Sequence, residues 1–389
     1  MGSRTFTRSA FNDSLRTRGI NTSFASRAGE EEVRNTGKLN ELVDPAEFGV
    51  IRRSLVRFDE LPSGLLELTT GCSMPIEVRL DTTASFGRTN INTAMRVLPD
   101  LYGLASGVLP GYDVHVAIGT FGDYVDRFIL NRPQFEMEAD KIVHQLSLMN
   151  PESGGGGNGG EDPHYGLFGG AYLVAAYANA IGLKRYDFTV SDEPARYELN
   201  ENQLRRVFGS EVFAKCKSNG FDIDPNDLPS TREVITDLLK QAHAFFLEVE
   251  GHPYYDTHGF WTEMFGPERV VILPRVDLIP QVQAIIIGLT EGTLSLDQVP
   301  DFLVEHKVDA ATIKQVQRSV ANIPIGAQVP PRKAIINGGH QIPQAGDIFR
   351  VKPDVFAKTG LWPIDPSELG DVELEATVIP DVDNGQNWL

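Results

Sequence analysis

The chain predicts an α/β fold, a doubly wound and mostly parallel sheet with a polar N-terminal tail and a Pro-rich C-terminal extension, and three observations carry the prediction. Strand-like and helix-like segments alternate from Ile76 to about Glu291, the pattern of a sheet covered on both faces. The uncharged run Tyr165 to Leu183 leads through Lys184-Arg185 straight into another strand, as a helix buried against a sheet would. An oxygen-rich turn, Asp81-Thr82-Thr83-Ala84-Ser85, closes an apolar strand just before a helical pattern, where open α/β sheets place their ligands.

Taken in order, residues 1–45 are rich in Arg, Ser, Thr, Asn and Gly with little periodicity, which suits a polar, flexible segment or one ordered by a partner. Residues 46–75 form a lead-in. The unit proper spans 76–291. It opens with the strand Ile76 to Leu80, whose Ile76, Val78 and Leu80 share one face. Phe86 to Leu104 carries Met95, Val97, Leu98, Leu101 and Leu104 at roughly helical spacing, interrupted by Pro99. Strands follow at Val114 to Phe121, Arg185 to Ser191, His243 to Val249 and Val270 to Leu273. Helices are expected at Phe135 to Leu148, Tyr165 to Leu183, Thr231 to Gln241 and Leu278 to Leu289. In 292–323, Val299, Leu303, Val308, Ile313 and Val316 predict one or two more helices. Across 324–389 recurrent prolines exclude long regular elements.

The 389 residues are 41% hydrophobic, enough for a substantial core, and the formal charge is −18. That charge disfavours nucleic acid and anionic membrane as partners and favours cations and basic protein surfaces. Two distant cysteines, Cys72 and Cys216, make neither a disulfide framework nor a zinc set, so the expected setting is cytoplasmic. Residues 1–34 lack the apolar stretch of a signal peptide. Tyr165 to Leu183 is long enough to span a bilayer, but its glycines, tyrosines and Asn179 favour the buried helix.

Asp81, Thr83 and Ser85 put a carboxylate and two hydroxyls at alternating positions of one turn. Mg²⁺ asks for near-octahedral oxygen ligands and is held by only one or two carboxylates, so hydroxyls can complete the set. Alone, the motif reads equally as a helix cap and turn. Two further loops, both expected near strand ends, carry acidic oxygens: Ser153 to Pro163, with Glu161 and Asp162 after a glycine run, and Thr189 to Pro194, with Asp192 and Glu193.

With these three loops, the segment Val116 to Asp123 and the late strand His243 to Val249, the chain resembles the von Willebrand factor A (vWA) domains, Rossmann-like α/β modules of bacterial and intracellular proteins among others, that bear a metal-ion-dependent adhesion site. The resemblance covers about Ile76 to Glu291. It implies Mg²⁺ or Mn²⁺ held by Asp81, Thr83, Ser85 and Asp192, with Asp81 and Asp192 acting partly through water. The second loop departs from the family, which often has a Thr after the glycines; here Glu161 takes the place of a fifth ligand, with Asp162 beside it. The resemblance also implies a binding module whose ion accepts an Asp or Glu carboxylate from a protein partner, and intracellular relatives that work beside AAA+ ATPases or in multi-protein assemblies.

Other readings are weaker. Gly155-x-Gly157-x-x-Gly160 matches a dinucleotide fingerprint, but the segment before it looks helical and Glu161 and Asp162 would oppose a pyrophosphate. His252 to His258 contains two histidines and an aspartate, and a turn-rich loop explains it better than zinc. His243 opens an apolar strand and reads as a core histidine. No catalytic residue and no organic cofactor site stands out. The expectation is therefore a metal-dependent protein-interaction or assembly module; the alternative is a metal-dependent hydrolase or phosphotransferase using the same acidic rim.

Overall fold

The computed structural model describes residues 27–48, 58–63, 66–69, 71–152, 160–174, 176–180, 182–249, 255–328 and 342–349, with the pairs 352–353 and 380–381. The N-terminal arginines up to Arg18, glycine-loop residues 153–159, His252 and most of the Pro-rich stretch lie outside these residues.

Six strands form the central sheet: β1 (Cys72–Asp81), β2 (Tyr112–Phe121), β3 (Leu130–Asn131), β4 (Arg185–Ser191), β5 (Ala242–Val249) and β6 (Val270–Leu273). Their spatial order is β3-β2-β1-β4-β5-β6, parallel throughout except for β3, which runs antiparallel to β2. The winding reverses between β1 and β4, and ligands of such sheets sit at the carboxyl ends there. Asp81 ends β1 and Asp192 directly follows β4. The main helices are α1 (Arg88–Val97), α2 (Asp100–Val108), α3 (Pro163–Leu173), α4 (Thr231–Gln241), α5 (Thr257–Phe265) and α6 (Ile279–Glu291).

Period-two alternation along β1 builds two unlike faces. Cys72, Met74, Ile76, Val78 and Leu80 enter one large apolar core with α1, α2 and α6. On the opposite face Glu77 and Arg79 join Arg132, Arg185 and Asp187 in a buried ionic layer, with Arg79 paired to Asp187 and Arg132 to Glu77 at 2.7 Å. α3 lies over this layer and is buried at every position. Its glycines make the approach feasible: a Cβ on Gly166 would strike the Arg79 side chain, and one on Gly169 would strike the Arg132 guanidinium. Arg185 donates to the Gly170 carbonyl at 2.5 Å.

Several expectations need correction. The run Tyr165 to Leu183 is not one helix. α3 ends at Leu173, Val174 is extended, and a short helix at Tyr177–Ala180 follows. The chain must turn back there to enter β4, and Asn179 ties the turn by donating to the carbonyls of Leu183 and Gln241 at 3.0 and 2.6 Å. The helix expected from Phe135 begins at Ala139, because Glu136 bridges to Val116 instead. Helices at Glu201–Phe208, Val212–Ser218 and α5, and the edge strand β3, were not expected. No helix among the described residues is long and apolar enough to cross a membrane. Near the start, Arg27–Thr36 is helical, and Val43 is buried in the main core.

Candidate metal centre

The first loop is locked before any ligand is considered. Thr82 donates to the Phe121 carbonyl through both its amide, at 2.9 Å, and its hydroxyl, at 2.8 Å, holding the end of β1 to β2. Gly87, at φ 80°, turns the chain into α1, a backbone conformation costly for other residues. Within the loop, Asp81 Oδ1 accepts from the Thr83 amide at 2.8 Å and its hydroxyl at 2.7 Å. Thr83 Oγ1 lies 2.9 Å from Ser85 Oγ. The hydroxyls of the expected set therefore stand together beside the carboxylate, and Ser85 is exposed while Asp81 and Thr83 are buried.

The third loop meets the first through Ser191, whose hydroxyl donates to Asp81 Oδ2 at 2.5 Å. It is bolted to α5: Thr257 Oγ1 donates to the Asp192 carbonyl at 2.8 Å and Trp261 Nε1 to the Glu193 carbonyl at 3.0 Å. Asp192 is buried, and its Oδ1 has no hydrogen-bond partner.

The second loop, grouped in the sequence with loops near strand ends, follows the helix Ala139–Leu148, in keeping with the helical pattern read before it. Its end reaches the site through a parallel bridge between Glu161 and Ala195, with the Glu161 amide on the Pro194 carbonyl at 3.0 Å. Glu161 Oε2 is buried and unpartnered. The neighbouring Asp162 differs. Its Oδ2 accepts from the Tyr124 amide and its Oδ1 from Arg196, so both oxygens are engaged in structure.

Electrostatics follow from burying these acids together. Burial pushes Asp81 up to about 6, against hydrogen bonds from Ser191 and Thr83. Burial and then the charge of Asp81 push Glu161 up to about 9. The same two causes, with Glu193, carry Asp192 to about 8. Asp162 rises to about 7 through burial, opposed by Arg196. Carboxylates in such a cluster bind protons when no cation is present.

The donor chemistry fits a hard divalent cation: oxygen atoms only, with two orphaned buried carboxylate oxygens at the sheet's switch point. Among the described residues no three His, Cys, Asp or Glu side chains form a metal set by themselves, so the hydroxyls of Thr83 and Ser85 would be integral to it. Sequence reasoning missed Ser191 as a positioning group, and missed Arg196, which joins Asp162 to Asp123 and lies 4.6 Å over the Tyr124 ring. Ser191 alternates with Thr189 along β4, and that alternation was the available signal.

Among family models and curated proteins nothing matches this chain. Solved structures to which part of the chain is similar include the pilus adhesin SpaC of Lactobacillus rhamnosus GG in an open conformation, at 14% identity and TM-score 0.35, covering 61% of this chain and 34% of that one. Another is proximal thread matrix protein 1 of the mussel byssus with a zinc-occupied MIDAS motif, at 11% identity and TM-score 0.35, covering 56% and 48%. A third is the vWF domain of the type V pili tip protein Mfa5 of Porphyromonas gingivalis, at 14% identity and TM-score 0.25, covering 34% and 41%. The chain thus spans less than half the length of each. At this level of similarity they do not bear on its function, and the fold rests on the strand order itself.

Proposed function

We propose that this chain is a metal-dependent protein-interaction or assembly module. Asp81, Thr83, Ser85 and Asp192 would hold Mg²⁺ or Mn²⁺, with Glu161 as a further ligand, and a partner's Asp or Glu carboxylate would complete the set. The observation that carries the reading is the pair of buried, unpartnered oxygens, Glu161 Oε2 and Asp192 Oδ1, on two loops that converge on the hydroxyl-rich end of β1. Buried carboxylates with no partner are costly, and a cation would compensate them. When bound, the ion supplies a positive charge that an external carboxylate can meet. Ser191 and Thr83 orient Asp81, and exposed Ser85 marks the open side. Intracellular work beside an AAA+ ATPase belongs to the same proposal. Calorimetry tests it: Mg²⁺ or Mn²⁺ should bind the wild type and not Asp81→Ala, and equal binding by both would remove the site.

A metal-dependent hydrolase is the second reading, and one pair favours it. His258 Nδ1 lies 2.7 Å from Glu248 Oε2, and His258 follows Thr257, the residue bonded to the third loop. A carboxylate-oriented imidazole is a general-base arrangement. Phosphate-ester turnover that requires Mg²⁺ and is lost in both Asp192→Ala and His258→Ala would select this reading.

A further inference from the structure

Beside the third loop lies a groove of about 580 Å³, lined by Pro194, Ala195, Arg196 and Tyr197 on one side and by Tyr255, Asp256, Gly259, Phe260 and Glu263 of the α5 region on the other. We propose that this groove is the second half of the partner-binding face and takes a basic side chain, arginine or lysine, of the same protein partner whose carboxylate meets the ion. The inference rests on the proposed function for its first half.

Four observations support it. First, exposed aromatic surface collects here: Tyr197 is 60% exposed and Tyr255 37%, and Tyr124, 38% exposed, lies under the Arg196 guanidinium. Large exposed aromatics gathered at one place mark a contact surface rather than scattered surface residues. Second, the Tyr197 side of the groove is fastened in place. The Tyr197 carbonyl accepts from the Thr231 amide at 2.8 Å, the Arg196 carbonyl accepts from the Thr231 hydroxyl at 2.6 Å, and the Tyr197 ring stands edge-on to Phe260 at 5.2 Å. Preorganised aromatic faces bind with little ordering cost.

Third, the groove is continuous with the candidate ion site, because its α5 wall is fastened to Asp192 and Glu193 through Thr257 and Trp261. Fourth, its charge suits a cation. Asp256 and Glu263 stand on its α5 side, Glu263 paired with Arg232, and the one cation lining it among the described residues, Arg196, is spent on Asp162 and Asp123. A guanidinium or ammonium over Tyr197 or Tyr255 would gain cation–π attraction, and the charge of −18 over the whole chain favours a basic partner.

The test uses the full chain labelled with fluorotyrosine, with the Tyr197 and Tyr255 resonances assigned by substitution to Phe. Four capped glycine-scaffold peptides serve as probes: one carrying a single Asp, one a single Arg, one a single norleucine, and one both Asp and Arg across a variable glycine spacer. In EDTA, the Arg peptide should shift Tyr197 and Tyr255, the norleucine peptide should not, and Tyr197→Ser should abolish the response. With Mg²⁺, the Asp-and-Arg peptide at its best spacing should bind about tenfold more tightly than the Asp peptide, a gain lost in Tyr197→Ser. Binding of the Asp peptide in Mg²⁺ with no gain from Arg at any spacing and no tyrosine shift would overturn the groove and leave the ion site standing. A norleucine peptide that shifts the tyrosines as strongly as the Arg peptide would overturn the basic occupant. Tyrosine shifts by the Arg peptide with no Mg²⁺-dependent binding of the Asp peptide would support the groove and remove the ion-site reading.

Discussion

Replacing Asp192 with asparagine removes a titrating carboxyl from the acidic cluster while keeping the side chain's shape, and the metal-free protein should become more stable for it. Asp192 rises from 3.8 to about 8 through burial and then the charges of Asp81 and Glu193. Below about pH 4 the carboxyl is protonated in both folded and unfolded chains, and the substitution should change little. Between about 4 and 8 the unfolded chain releases the proton and the folded chain keeps it, so wild-type stability falls as pH rises, by at most ~1.4 kcal/mol per pH unit. Near pH 7.5 the ceiling is ~5 kcal/mol. A buried carboxyl relaxes and hydrates, and the new amide must itself find partners, which brings the expected gain to about 2 kcal/mol. Urea unfolding of both proteins in EDTA, at steps from about pH 4 to about pH 8, reads the effect directly. Mg²⁺ should reverse the order, stabilising the wild type by ~3 kcal/mol at a hundredfold excess over its dissociation constant and leaving Asp192→Asn nearly unmoved. An Asp192→Asn protein no more stable than wild type at any pH, or with a gain that does not grow as pH rises, would refute the picture of a strained, unpartnered carboxylate.

Gly169→Ala should lower the melting temperature by several degrees, since its Cβ would overlap the Arg132 guanidinium; a thermal melt matching wild type would show that α3 can lift off the ionic layer without cost. Asp187→Asn leaves the buried Arg79 and Arg185 short of a counter-charge and should cost about 3 kcal/mol or prevent folding, as measured by denaturant midpoint and soluble yield. Ser230→Ala breaks the capping box at the start of α4, in which Glu233 reaches back to the Ser230 amide at 2.8 Å. It should cost about 1 kcal/mol and leave Mg²⁺ binding unchanged, which calorimetry would check.

What the sequence determined alone was local and periodic. β1 could be read because Ile76, Val78 and Leu80 alternate, and β4, α4 and β6 run over the residues expected of them because each is a sustained pattern bounded by a clear stop. Asp81, Thr83 and Ser85 are neighbours in the chain, so their grouping needed no tertiary information. β3 has only two residues and no period to detect; it exists because β2 offers an unpaired edge. The break after Leu173 is invisible in an apolar run and follows from where the chain must turn to re-enter the sheet as β4. The site's second half was likewise a matter of tertiary structure. Glu161 and Asp162 are adjacent and chemically alike, yet one faces the cluster with an orphaned oxygen and the other is consumed by Arg196 and the Tyr124 amide. That division depends on the bridge between Glu161 and Ala195, 34 residues apart in sequence. Periodicity reports which face a side chain takes within its own element; which of two neighbouring carboxylates is left without a partner depends on what distant loops bring against it.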